Sequence, residues 1–256
     1  MEQMCLKYFG CIPPHSSGNE ENLQQELKTL KVKTLGKDKE LDIFLSDSDD
    51  RAMGYLAGPC PNRWGVQYDG TNIGEVLDAM NGKKDDRRSH PLFGFMILSV
   101  LQEVANRRLF SVVREERRLT YDASFQFNGP ESLQGSWYLV SVTSSPSQVK
   151  EALRACKEAL TSLKGVFGIN GDSVQSAKRT ILNRFRGESL TNKFWVDNMS
   201  GTQVDAIPQK TIKCISDFEK VLGGITVQDI QQLVTVLNFD DDNMTAVCGT
   251  TGTKSS

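Results

Sequence analysis

Between Ser89 and Phe127 the chain reads SHPLFGFMILSVLQEVANRRLFSVVREERRLTYDASFQF, and its hydrophobic period changes partway along. From Pro91 to Ala105 an almost unbroken apolar run predicts a buried helix, with Pro91 at its first position and Ser89 as its cap. A second helical piece follows, in which Leu109, Val112, Val113 and Leu119 alternate with Arg107, Arg108, Arg114, Glu115, Glu116, Arg117 and Arg118. From Thr120 the period drops from about 3.6 to 2. Tyr121, Ala123, Phe125 and Phe127 then share one face, and Asp122, Ser124, Gln126 and Asn128 the other. A buried helix that turns through a charged segment into an amphipathic strand admits few folds. It also sets Arg114 and Tyr121 on either side of the junction.

The rest of the chain supplies more strands and helices in an order that narrows the class. Arg51 to Ala57 predicts a first strand, ended by the turn signals Gly58, Pro59, Pro61 and Asn62. Asp69 to Ser89 predicts a loop region with a short helix, Ile73 to Met80. Ser136 to Val142 predicts a strand that pairs with Tyr121–Phe127 as a hairpin. Ser145, Pro146 and Gln148 then open a helix with an apolar stripe of Val149, Leu153, Cys156, Leu160 and Leu163. Asp172 is the expected cap of the next helix, and Thr191 to Met199 continues helically. Ser216 to Leu222 is a short helix, and Thr226 with Asp229 starts one that ends near Leu237. Met244 to Cys248 is a last strand. Strands at the start, middle and end, with helices grouped after the central hairpin, predict an α+β fold: a two-layer mixed sheet with helices packed on one face.

Before that domain, Pro13 to Asp50 is rich in Lys, Glu, Ser and Asp and predicts a linker (residues 14–50) holding one extended piece, Leu41 to Leu45. The domain itself is expected over 51–249, with a polar tail over 250–256. A formal net charge of -2 gives no basis for nucleic-acid binding. The longest apolar run, Pro91 to Leu101, falls short of the roughly 20 residues that a membrane span needs. The cysteines (Cys5, Cys11, Cys60, Cys156, Cys214 and Cys248) form no C-x-x-C and suit buried thiols in a reducing compartment.

The ordered string Arg108, Leu109, Phe110, Arg114, Glu115, Leu119 and Tyr121 resembles the RLF-x-x-x-RE-x-x-GL-x-Y pattern of pitrilysin/insulinase-type zinc metallopeptidases. GSWYLVSVTSSPSQVKEALRACKEAL and SAKRTILNRF resemble the same family's C-terminal region, and the likeness runs from about Gly54 to Gly249. It implies a half-domain of the mitochondrial-processing-peptidase type, and it implies that residues 1–13 end a preceding domain. The family's active half carries an inverted zinc motif, H-x-x-E-H. This chain has only His15 and His90, neither followed by x-x-E-H, so no metal ligand and no catalytic residue is expected in it and it is predicted inactive alone. His90 reads as a residue where the chain enters the apolar helix, or as a surface residue.

The resemblance therefore implies a supporting role. The partner is the N-terminal zinc-bearing half of the same enzyme, and the cofactor is zinc in that half. The substrate is a peptide or transit peptide, processed in a plastid stroma or apicoplast-like organelle, with no nucleic acid or membrane involved. Arg114 and Tyr121 are the implied substrate-binding and transition-state residues: the guanidinium holds a substrate carbonyl and the phenol donates to the developing oxyanion. Taken without the family pattern, Arg114 is one of five arginines between 107 and 118, and Tyr121 is a half-buried strand residue. One position departs from the pattern, since Arg118 stands where the family has glycine; if that position takes positive φ, arginine costs on the order of 1 kcal/mol. The competing function is a scaffold or interaction subunit with the same fold and no substrate chemistry. An independent zinc enzyme is a third.

Overall fold

The computed structural model describes residues 40–47, 50–120, 122–128, 134–164, 168–202 and 210–252. The expected preceding-domain end (1–13), the linker up to residue 39 and the tail from 253 lie outside those residues. Five strands form one mixed sheet in the order β1-β5-β2-β4-β3. They are β1 Glu40–Ser46, β2 Ala52–Cys60, β3 Asp122–Asn128, β4 Ser136–Ser144 and β5 Thr245–Gly252. β1 and β5 run parallel, and the β2–β5, β2–β4 and β3–β4 pairs are antiparallel. The hairpin expected from the change of period is the β3–β4 pair, with Phe125 opposite Val140. β1 contains the extended piece at Leu41–Leu45, so the sheet reaches back into the stretch expected as linker.

β2 is longer than its sequence suggests, because Gly58 and Pro59 lie inside the strand. They read as turn residues, yet each has a structural reason to be there. The pairing of β2 with β5 stops at Ala57, so Pro59 has a strand partner on one side only, where a missing N–H is tolerated. Gly58 makes room for the Tyr138 ring, which lies against it. Gly54 does the same for the helix Val149–Thr161, since a Cβ there would fall 2.6 Å from Leu153 Cγ. Small residues on the covered face of β2 thus let helix and sheet approach closely.

The helices are α1 Ile73–Asn81, α2 Phe93–Leu109, α3 Val149–Thr161, α4 Gly171–Glu188, α5 Asn192–Met199, α6 Lys213–Ser216, α7 Phe218–Gly224 and α8 Val227–Leu237. α3 lies on β2 and β4, while α2 runs along β3 and touches α3 and α4. The α+β two-layer expectation holds. The sheet face under the helices is sealed: Leu56, Phe125, Tyr138, Val140 and Val142 are buried against Ile97, Leu101, Ala152 and Cys156. The opposite face carries Met53, Tyr55, Trp137, Leu139 and Val247, all left at least partly exposed.

Helix starts correct three of the expected caps. Ser89 belongs to a 3-10 turn, Asp86–Ser89, and its hydroxyl donates to Asp86 O rather than capping α2. The α2 start is instead held by His90, whose Nδ1 accepts from the Leu92 N–H at 3.1 Å. α4 is capped by Asn170 in a reciprocal box with Ser173, so Asp172 sits in the first turn. α3 begins at Val149 after a turn over 146–148, with no side-chain cap. The Thr226–Asp229 capping box of α8 is present as expected. Its Asp229 carboxylate, fully buried, also accepts from Arg88 at 2.7 and 3.2 Å, and Arg88 reaches Asp78 of α1. A buried charge with partners on two helices is the arrangement that makes burial tolerable.

Candidate functional site at the helix-to-strand junction

α2 does not end where its hydrogen bonding first changes. Phe110–Glu116 continues it as a π-helical turn, wider by one residue than an α-turn. The Arg117 N–H reaches back to Val112 O at 3.2 Å and the Leu119 N–H to Val113 O at 3.0 Å. These closing bonds place Arg118 where a helix end takes left-handed backbone, with φ 55. Glycine is the residue that fits there without penalty. Val112 and Val113 are buried and anchor the turn.

Beyond Arg118 the chain is fixed to the end of β4. Ser144 Oγ donates to Leu119 O at 2.6 Å. The Thr120 hydroxyl, buried, accepts from the Asp122 N–H at 3.0 Å and donates to Thr143 O. The residues on each side of position 121 are therefore held by hydroxyl-to-backbone hydrogen bonds, and Tyr121 itself lies outside the described residues.

The arginines of this segment divide into two groups. Arg107 donates to Ser176 and Thr180 of α4, Arg108 to Ser162 at 2.9 Å, and Arg117 pairs with Glu158 and Glu151 of α3. Those three tie the junction to the helices around it. Arg114 is exposed, with its guanidinium carbon 5.0 Å from the centre of the Phe110 ring, a cation–π contact. Arg118 is exposed as well. Among the described residues neither Arg114 nor Arg118 has an ion-pair partner, and Glu115 and Glu116 pair with neither.

His90 is occupied at both ring nitrogens: Nδ1 by the Leu92 N–H, and Nε2 by Asp217 Oδ2 at 3.2 Å. The hydrogen bond from His90 holds the Asp217 carboxyl below its usual range. Among the described residues no group of three His, Cys, Asp or Glu side chains converges as a metal site would require. The residues described here do not fit a zinc ion. The buried thiols are likewise unsuited to nucleophilic work, since burial pushes Cys60 and Cys156 up to about 12.

β3 is an edge strand, and what covers its edge was not expected from the sequence. Asn106 of α2 donates to Phe125 O at 3.1 Å and accepts from the Phe125 N–H at 2.7 Å. Gln102, one turn earlier, accepts from the Phe127 N–H at 3.3 Å. The spacing of two carboxamides on one helix face was the available signal, but only the register of β3 against α2 gives it meaning.

Among the described residues, then, a mixed sheet lies against a helical layer, a widened helix end leads toward the edge strand, and no cluster of metal-ligating side chains is formed. The chain belongs to the peptidase M16 family, the pitrilysin/insulinase-type metallopeptidases: residues 1–181 match the family's "Peptidase M16 inactive domain". It is 35% identical over 272 residues to the chloroplastic stromal processing peptidase of Pisum sativum, across 100% of this chain and 21% of that protein. The chain thus spans about a fifth of the length of the curated relatives it matches. Among solved structures, a protease from Helicobacter pylori superposes with a TM-score of 0.64 at 14% identity, covering 97% of this chain and 51% of the other. The peptidase M16 inactive domain from Pseudomonas fluorescens gives 0.60 at 15% identity, covering 88% and 46%. Both likenesses bear on the fold.

Proposed function

We propose that this chain is the zinc-free domain of a metalloendopeptidase that removes transit peptides in a plastid, and that it works on substrate held by a zinc-bearing half of the same protein. In this reading residues 51–249, with β1 added at the sheet edge, form one wall of the substrate chamber. The partly exposed apolar face of the sheet, which none of the described helices covers, supports a wall role. The observation that carries the reading is the Arg114 guanidinium: exposed and unpaired on a π-helical turn while Arg107, Arg108 and Arg117 around it are tied to helices.

The zinc of the other half supplies the Lewis acid and the activated water. The residues of this chain bind and orient. Arg114 donates to a backbone carbonyl of the substrate beside the scissile bond. The Tyr121 phenol donates to the reacting carbonyl oxygen as negative charge grows on it, a contact that strengthens toward the transition state. The bonds that fix Leu119 and Thr120 to the end of β4 support a rigid junction, the kind of setting in which a donor needs no reorganisation during the reaction.

The test combines this chain with its zinc-bearing half and follows cleavage of a transit-peptide substrate. Tyr121→Phe is expected to lower kcat by about 10²–10³-fold, and Arg114→Ala to lower kcat/KM, with thermal unfolding unchanged for both. Turnover unaltered by either substitution would leave a scaffold role only.

A further inference from the structure

We propose that Arg118 is a specificity-determining residue that binds a carboxylate of the substrate peptide next to the group held by Arg114. This rests on the substrate-holding reading above. The starting point is a conflict inside the molecule. Arg118 has φ 55, in the left-handed region that penalises every residue with a side chain and suits glycine. Strain of this kind persists where some other requirement holds it in place.

Among the described residues, nothing requires the Arg118 side chain. It is exposed, and among the described residues it makes no hydrogen bond, ion pair or ring contact. Its neighbour Arg117 pairs with Glu158 and Glu151, so the segment already has its electrostatic tie to α3. The closing bonds from Arg117 and Leu119 are backbone bonds that glycine at 118 would leave intact. The fold therefore loses backbone stability at this position and takes nothing back from the side chain. The return lies outside the chain.

The chemistry of that return follows from the group. A guanidinium is permanently charged, planar and built to give a carboxylate two parallel hydrogen bonds. Arg118 and Arg114 are two such groups on one short segment just ahead of β3, and among the described residues neither has an anionic partner. One holds a neutral carbonyl in the proposed function. Transit peptides are poor in acidic residues, so the carboxylate this second site takes lies on the mature side of the scissile bond.

The experiment separates backbone from binding. The thermal midpoint of the 256-residue chain is measured for Arg118→Gly and Arg118→Lys. KM and kcat are measured after combination with the zinc-bearing half, on peptide pairs that differ only by Asp or Asn on the mature side of the scissile bond. Arg118→Gly is expected to raise the midpoint by about 2–4 °C. It should raise KM for the Asp peptide about tenfold, the size of a charge-assisted pair, and leave the Asn peptide unchanged. Arg118→Lys, which keeps the charge and loses the fork, should retain part of the preference. Equal KM changes for both peptides, or none, with Arg114→Ala still impairing cleavage, overturn the role of Arg118 and leave the substrate-holding reading standing. If Arg114→Ala is silent too, both fall. A lower midpoint for Arg118→Gly removes the strain on which the inference is built, and overturns it.

Discussion

Tyr138 is fully buried between Phe125 and Phe239, stacked on the first and edge-on to the second, and its hydroxyl has no hydrogen-bond partner. The ring packs well and the oxygen does not. An unsatisfied buried hydroxyl costs about 1–3 kcal/mol, whereas the ring alone would be retained in full by phenylalanine. Tyr138→Phe is therefore expected to stabilise the chain by about 1 kcal/mol, read as a higher urea midpoint with an unchanged m-value. Gly58 beneath it shows why single-residue signals mislead: glycine followed by proline is a turn signature, yet here Gly58 is a gap left for an aromatic ring. Only the residue opposite it in β4 distinguishes the two, and that residue is far away in sequence.

At the scale of elements, the junction between α2 and β3 joins local pattern to long-range contact. Asn106→Leu keeps the apolar side of α2 acceptable but strips Phe125 of both its edge hydrogen bonds. A loss of about 1–3 kcal/mol is expected, together with concentration-dependent self-association, because the β3 edge would then keep only the Gln102 bond to Phe127. Equilibrium unfolding and light scattering would measure the two effects. Much of this region was legible beforehand: the switch of period at Thr120 located β3, and the pairing with β4 followed from its neighbour's alternation. The π-helical turn was not legible, since Leu109, Val112 and Val113 fit an α-helix equally well, and one widened turn leaves no periodic trace. The caps at Ser89 and Asp172 were misplaced because several polar residues competed within two positions, and only backbone direction chose among them. At the candidate site, a helical placement of Arg114 ahead of the strand was legible, but its lack of an ion pair among the described residues was not. Which arginine of the segment meets Glu151 and Glu158 of α3 is set by tertiary packing, and it is Arg117.

For the whole molecule, the buried thiols give a pH dependence with a definite sign. Burial raises Cys60 and Cys156 from 9.0 to about 12, and Tyr68 from 10.0 to about 12. Below the ordinary value both folded and unfolded chains keep these protons, so the stabilisation is fully present. As pH rises from 9.0 toward about 12 the unfolded chain ionises first, and stability falls across that window. Urea midpoints taken through this range should decline, and Cys156→Ala should make the decline shallower.

The order of the sheet has a consequence for how the chain is made. β5, drawn from Thr245–Gly252, lies between β1 and β2, so an interior place in the sheet is filled by nearly the last residues described. During synthesis β2, β4 and β3 can join while β1 waits without a neighbour, its Leu41, Ile43, Phe44 and Leu45 uncovered. A ribosome paused before Thr245 would hold a half-built sheet with an open slot, and an early stop codon at that point would remove the strand that joins the two sides. Holdase binding to such arrested chains should end abruptly once Thr245–Gly252 has cleared the exit tunnel.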